Sequence, residues 1–451
     1  MSTPSTQFAV ASLNLSATVE DVKGDSSVAH RPPARATKLR SSRWFGSGLI
    51  MAASGIGASD IITATVGGAT YGVTLLWALA LGAFFKFVLS EGLARWQLAT
   101  GTTLLEGWAC YLPRWVLAVF MGYLVLWAIA VSGALVSGCG LAIENITRGA
   151  VPRSWGALAQ AVVAFGFIYA DRTGGFSRVM KPLIVVMFIS IVVCAVLTFR
   201  EPVSALKGFL VPRIPANGGA YVLSIIGGIG GSLTLLSYNY LLRGDNKVDP
   251  ANLRSVRMDL AVAYLFTAVF GVSVMLIANR VFHSAGVAIT DREAVSRMAG
   301  LLAEITGPAG FYIYSIGFWA AVLASLIGVW QTVPTIFADG SSLLRRIPQS
   351  ARDAAMQPSS WQYRTGLAFM ALVSVPFAFL GRPLLVVVAF TIIGSLFIPF
   401  LAATLLYLNN RAPWPGPIRR NNAATNAVLV LVLLLFAVTG GLEIFRALSR
   451  P

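Results

Sequence analysis

Eleven apolar runs of roughly 18–25 residues follow one another along this chain, and each is long enough to cross about 30 Å of hydrocarbon as a helix. They fall at residues 46–71, 74–98, 115–138, 155–171, 181–199, 220–243, 258–282, 309–332, 361–380, 384–408 and 425–447. Backbone amides and carbonyls in lipid must find partners within their own segment, so runs this long and uniform predict helices and not barrel strands. Composition agrees. The 451 residues are 56% hydrophobic and 12% charged, against about 45–50% and about 25% in an average soluble domain. The fold class is an all-α polytopic membrane protein.

Residues 1–45 differ from everything after them. They are polar, contain Ser and Pro, lack the apolar core of a signal peptide, and end in the basic cluster Arg31, Arg35, Lys38, Arg40 and Arg43. This reads as a disordered cytoplasmic tail. With the tail inside, Lys and Arg outnumber those on the outer side by roughly two to one. Eleven spans then place the C-terminus outside, in what reads as a bacterial inner membrane. The net charge of +16 is therefore a record of topology, and nucleic acid is not an expected partner; the lipid bilayer is. Oligomeric state is not legible.

Enzyme chemistry finds no foothold. The three cysteines, Cys110, Cys139 and Cys194, are scattered, and the two histidines, His30 and His283, lie in the tail and at a span end. No metalloprotease, nucleophile-elbow or phosphate-loop motif stands in a suitable context, and no resident cofactor is expected.

Two glycine clusters, "SGIGAS" at 54–59 and "GGIGGS" at 227–232, interrupt the first and sixth spans. Glycine inside a helix costs roughly 0.5–1 kcal/mol relative to alanine. Small residues also serve close helix packing, but spans one and six each open a set of five. Transporters built from inverted repeats break the equivalent helix of each half and bind substrate at the break, where half-helix ends and freed carbonyls meet. The clusters predict a pair of broken helices.

"GSGLIMAASGIGASDIITATVGGATYGVTLLW" then resembles the first span of the NRAMP (natural-resistance-associated macrophage protein) metal-ion transporters. Gly46, Gly48, Gly68, Tyr71, Gly72, Leu75, Leu76 and Trp77 fall in step with that pattern, and "ARWQLATGTTLLE", "LLAEITGPAG…LASLIG" and "FIPFLAATLL" extend the match. The resemblance implies a LeuT-like fold: two inverted five-helix repeats forming a transport core over 46–410, with a loop and an appended eleventh helix over 411–451. It implies secondary transport of a divalent cation.

The functional residues of the family carry over incompletely. Its metal-binding Asp aligns with Gly57, and its following Asn with Asp60, just after Ser59. Its sixth-span A-x-x-M lands on Gly228, Ile229, Gly230 and Gly231; its Met-Pro-His-Asn run becomes "GSLT", which includes Ser232; and a tenth-span Gln appears as Thr391. The expected ion or substrate site is Gly57, Ser59, Asp60, Gly228, Gly231, Ser232 and Thr391, with Asp60 as the metal ligand. Without the thioether, oxygen ligands remain, which suit Mg²⁺, Ca²⁺ or Mn²⁺ over softer metals. The same space admits a small organic solute moved with Na⁺ or H⁺, and a transporter-like receptor is a third reading. Asp60 is either an ion ligand or a cap for the second half of span one.

Other charges near or within spans are weighed the same way. Lys86, Glu91 and Arg95 read as one face of span two, a paired structural cluster or a charge relay joined by Asp259. Asp259 otherwise caps the start of span seven, and Asp339, after span eight, is expected to face water. Span three carries no acid, so transport without strict proton coupling is expected.

Overall fold

The computed structural model describes residues 46–171, 175–215, 218–245, 247–286, 294–381, 383–411 and 420–448. The tail at 1–45 lies outside them. All eleven apolar runs are helical, and no strand occurs among the described residues.

Span one comprises Ser47–Gly55 and Ala58–Tyr71, and span two is Leu76–Thr100. Spans three, four and five are Arg114–Ile146, Arg153–Ala170 and Gly175–Thr198. Span six comprises Gly219–Gly228 and Ser237–Gly244, with a tight turn of helix at Leu233–Leu236 leading into the second piece. Spans seven, eight and nine are Leu253–Ala278, Pro308–Leu344 and Trp361–Phe379; span ten runs as Pro383–Ser395 and Phe397–Asn410; span eleven is Ala423–Leu448. Seven helical stretches among the described residues are long and apolar enough to cross a membrane by length and composition.

Two spans outrun their apolar segments. Span eight continues through Gln331 and the internal Pro334 to Leu344, because polar residues there are buried against neighbours instead of ending the helix. Span three likewise extends to Ile146, where the Asn145 amide donates to the Ser315 hydroxyl of span eight at 2.7 Å. Short helices at Leu104–Tyr111, Pro202–Leu210, Ala294–Thr306 and Gln349–Ala355 join the spans.

Spans one and six sit in the middle. Span one packs against spans seven and eight, and span six against spans two and ten. Outward faces present large apolar side chains such as Val162, Val196, Leu265 and Leu372, as a helix facing lipid requires.

Asp339 corrects the sequence expectation. It lies inside span eight and is fully buried. The Gln349–Ala355 helix folds back so that Arg352 Nε stands 3.3 Å from Asp339 Oδ1 while its Nη2 bonds Glu106. Tyr240 donates to Asp339 at 2.8 Å, and Arg243 pairs with Glu106 at 3.0 Å. Burial works against the Arg352 charge, but the Asp339 and Glu106 carboxylates outweigh it and hold the guanidinium above its ordinary pKa. The acid is dry because its partner folds over it.

Candidate functional site

Both expected breaks are present. The first half of span one ends where the Ile56 amide donates to Ala52 at 2.8 Å, and Gly57 is extended before the second half begins at Ala58. The first half of span six ends at Gly228, and Gly230 and Gly231 follow with φ of +71° and +75°. That left-handed region costs a residue with a Cβ roughly 1–2 kcal/mol. The glycines do more than break helices. A Cβ on Gly55 would lie 2.5 Å from the Gly230 carbonyl carbon, and one on Gly231 would lie 2.8 Å from Gly55 Cα. The two breaks touch backbone to backbone, so close packing and helix breaking are one device here.

Asp60 joins them. Its Oδ2 accepts the Gly57 amide at 3.1 Å, capping the second half of span one, and its Oδ1 accepts the Gly230 amide of span six at 2.6 Å. The residue is 5% exposed. It is a cap and a cross-link at once.

The carbonyls freed by the span-six break converge on Lys86. Its Nζ donates to Gly227 O at 3.1 Å, to Ile229 O at 3.0 Å and to Gly231 O. Lys86 is fully buried. Gly82, one turn earlier, allows this approach: a Cβ there would lie 2.8 Å from Ile229 Cγ2 and 3.0 Å from Ile226 Cα.

This separates Lys86 from the face assigned to it. Five residues turn a helix by about 140° beyond one full revolution, so Lys86 and Glu91 point to different neighbours. Glu91 and Arg95 do pair, at 3.0 Å, and Arg257 of span seven joins them at 2.8 Å. Arg95 also donates to the Arg420 carbonyl and to Asn421 Oδ1.

Asp259 corrects the expectation as well. It lies in the second turn of span seven, and it accepts the Gly48 amide at 2.8 Å and the Tyr238 hydroxyl at 3.2 Å. It therefore caps the start of span one, not its own helix. Beside it, Ser47 donates to Asp245 Oδ2 at 2.5 Å. Among the described residues, Asp259 with Gly48 and Tyr238 forms one cluster, and Glu91 with Arg95 and Arg257 another.

The remaining expected residues surround the junction. A Cβ on Gly57 would meet Ser325 Oγ of span eight at 2.6 Å, and Ser325 Oγ donates to the freed Ser54 carbonyl at 2.7 Å. Gly228 ends its half-helix against Thr391, whose methyl would lie 2.8 Å from an added Cβ. The Thr391 hydroxyl donates to Val387 within its own helix at 2.8 Å, so it turns away from the break. Ser232 is buried beside Gly394. Ser59 stands in the first turn of the second half of span one, and its side chain lies outside the described residues.

Residues 48–445 match the family model described as Nramp, natural resistance-associated macrophage protein-like. The chain belongs to the Nramp family. Among the curated proteins it is similar to the divalent metal cation transporter MntH of Chromohalobacter salexigens, 27% identical over 298 residues, or 63% of this chain and 67% of that protein. It is similar to MntH of Deinococcus radiodurans at 24% over 290 residues, covering 62% and 65%. Among solved structures, an Eremococcus coleocola manganese transporter with an aromatic bis-isothiourea substituted compound aligns at a TM-score of 0.71 and 15% identity, covering 87% of this chain and 84% of that one. MhsT in complex with L-phenylalanine aligns at 0.54 and 16%, covering 89% and 100%. These Nramp and LeuT-type likenesses bear out the LeuT-like fold, and the relatives are transporters, not enzymes. The Nramp chain is an integral membrane protein.

Proposed function

We propose that this Nramp-family chain is a secondary transporter that moves a divalent cation, Mg²⁺ or Mn²⁺ before softer metals, through the junction of spans one and six. One observation carries the reading. Three backbone carbonyls, from Gly227, Ile229 and Gly231, converge on the Lys86 nitrogen, with the Asp60 carboxylate at the same junction. Carbonyl oxygens and one carboxylate are a hard, oxygen-only ligand set. Neither 54–60 nor 227–234 contains Cys or Met, and no group of three or more His, Cys, Asp or Glu side chains gathers among the described residues. The names of the relatives, divalent metal cation and manganese transporters, support the same reading.

The reading includes a cytoplasmic tail at 1–45, a transport core at 46–410, an appended segment at 411–451, and an inner-membrane location with the N-terminus inside. The test is metal-dye uptake by proteoliposomes. Mn²⁺ and Mg²⁺ should enter in proportion to protein, and absence of flux for both overturns the reading.

A second reading has its own observation. Lys86 already occupies the carbonyls of Gly227, Ile229 and Gly231, and a junction whose oxygen ligands are taken suits a small organic solute. Inhibition of cation uptake by amino acids, or amino-acid flux without cation flux, would favour it. Ligand binding without any flux would favour a receptor.

A further inference from the structure

We propose that Lys86 is a tethered cation that occupies the transport site whenever no free cation is bound, leaving as a cation enters and returning as it departs. The proposal deepens the cation-transport reading and rests on it.

The geometry of the ammonium carries the argument. A lysine Nζ has three N–H donors and no acceptor, and three carbonyls of one unwound segment receive them. Nothing is left over on the nitrogen. The carbonyls come from residues 227, 229 and 231 at the break, the part of the fold that an ion would use. A structural lysine needs no such place; it would serve equally beside any carboxylate. The Asp60 side chain accepts two backbone amides at the same junction.

Two consequences follow from electrostatics and solvation. A divalent ion and an ammonium cannot share one set of carbonyls, because like charges a few ångströms apart in a dry interior repel strongly. Loading the site therefore requires Lys86 to swing out, which its flexible four-carbon stem permits. Conversely, an empty junction would hold several carbonyls without partners at membrane depth, which is costly. The seated lysine removes that cost and stabilises the unloaded carrier. The return of the empty protein across the membrane, needed for net uptake, then depends on Lys86. One-for-one cation exchange, in which the site is never left empty, does not.

The test compares the full-length wild type with Lys86→Leu and Lys86→Arg, using Mn²⁺ as probe. Titration calorimetry should show Lys86→Leu, which brings no metal ligand of its own, binding Mn²⁺ on the order of tenfold tighter than wild type once the competing charge is gone, and Lys86→Arg no tighter. In proteoliposomes, exchange of tracer Mn²⁺ against internal Mn²⁺ should persist in Lys86→Leu, while net uptake into Mn²⁺-free vesicles falls by about tenfold or more. Equal affinities, or exchange and net uptake falling together, would overturn the proposal. If Lys86→Leu does not fold, Lys86→Ala carries the same expectation; failure of both to fold would make Lys86 a structural plug and overturn the proposal too. If wild type transports Mn²⁺ but the variants behave alike, the inference alone fails. If no form binds Mn²⁺ or Mg²⁺, the cation-transport reading fails and takes the inference with it.

Discussion

The carboxylate of Asp60 in span one and the amide of Gly230 in span six meet at 2.6 Å, across 170 residues of sequence. The other oxygen of the same carboxylate holds the Gly57 amide. One side chain thus fixes both helix breaks relative to each other.

That bond changes what Asp60→Asn should do. Asparagine caps helices as well as aspartate, but it has one acceptor oxygen where this site uses two. One buried amide loses its partner, at a cost of about 1–3 kcal/mol. We expect lower thermal stability and loss of most Mn²⁺ uptake. Measured together in detergent and in liposomes, unchanged uptake would remove Asp60 from the ion's ligands.

Gly230→Ala places a Cβ at a φ of +71°, and Gly55→Ala drives one into the Gly230 backbone. Each should destabilise by about 1–3 kcal/mol, from left-handed strain in the first case and overpacking in the second. Gly122→Ala is the control, since nothing lies within 4 Å of the added carbon. Thermal unfolding in detergent should rank the two junction variants well below the control.

Arg352→Gln removes the cation between Asp339 and Glu106. Breaking a buried ion pair from one side typically costs about 3–5 kcal/mol, although Arg243 still serves Glu106. Expression and melting temperature should fall sharply. Adding Asp339→Asn should recover part of the loss, because it removes the charge left stranded; no recovery would show that Arg352 acts by packing.

With no Cys or Met in either glycine cluster, Cd²⁺ should compete with Mn²⁺ uptake no better than Mg²⁺ does. The absence of an acid in span three, and the engagement of Glu91 by Arg95 and Arg257, give the further expectation that uptake proceeds without strict proton coupling. An internal pH dye read beside a metal dye checks this. Stoichiometric acidification during metal entry would show that another group carries the proton.

Topology is tested at two exposed serines. Ser350 and Ser284 are both exposed and lie beyond opposite ends of span eight. In a background lacking the exposed Cys110, an impermeant thiol reagent applied from outside should label Ser284→Cys and spare Ser350→Cys. Labelling of both from one side would defeat the eleven-span topology.

Much of this was legible because hydrophobicity and glycine speak locally. Every apolar run became a helix, and both clusters became breaks, since the cost of glycine inside a helix has to be repaid by something. Asp60 stood out as a carboxylate in an apolar span. Lys86 was visible, but its role was not: its acceptors are backbone carbonyls more than 140 residues away, and a carbonyl looks the same whatever residue bears it. Asp339 reads as water-facing in the sequence because the two-turn helix that carries Arg352 over it leaves no hydropathy signature. Asp259 reads as a cap of its own helix, whereas its partner is an amide 211 residues distant.

The bare contact between Gly55 and Gly231 also constrains how such a chain can drift. At most packed positions a larger residue on one side can be answered by a smaller one opposite. Here neither partner has anything left to trim. A methyl gained on either side has no compensating change across the contact, so the two halves of the protein are bound to keep this pair or to lose the crossing altogether.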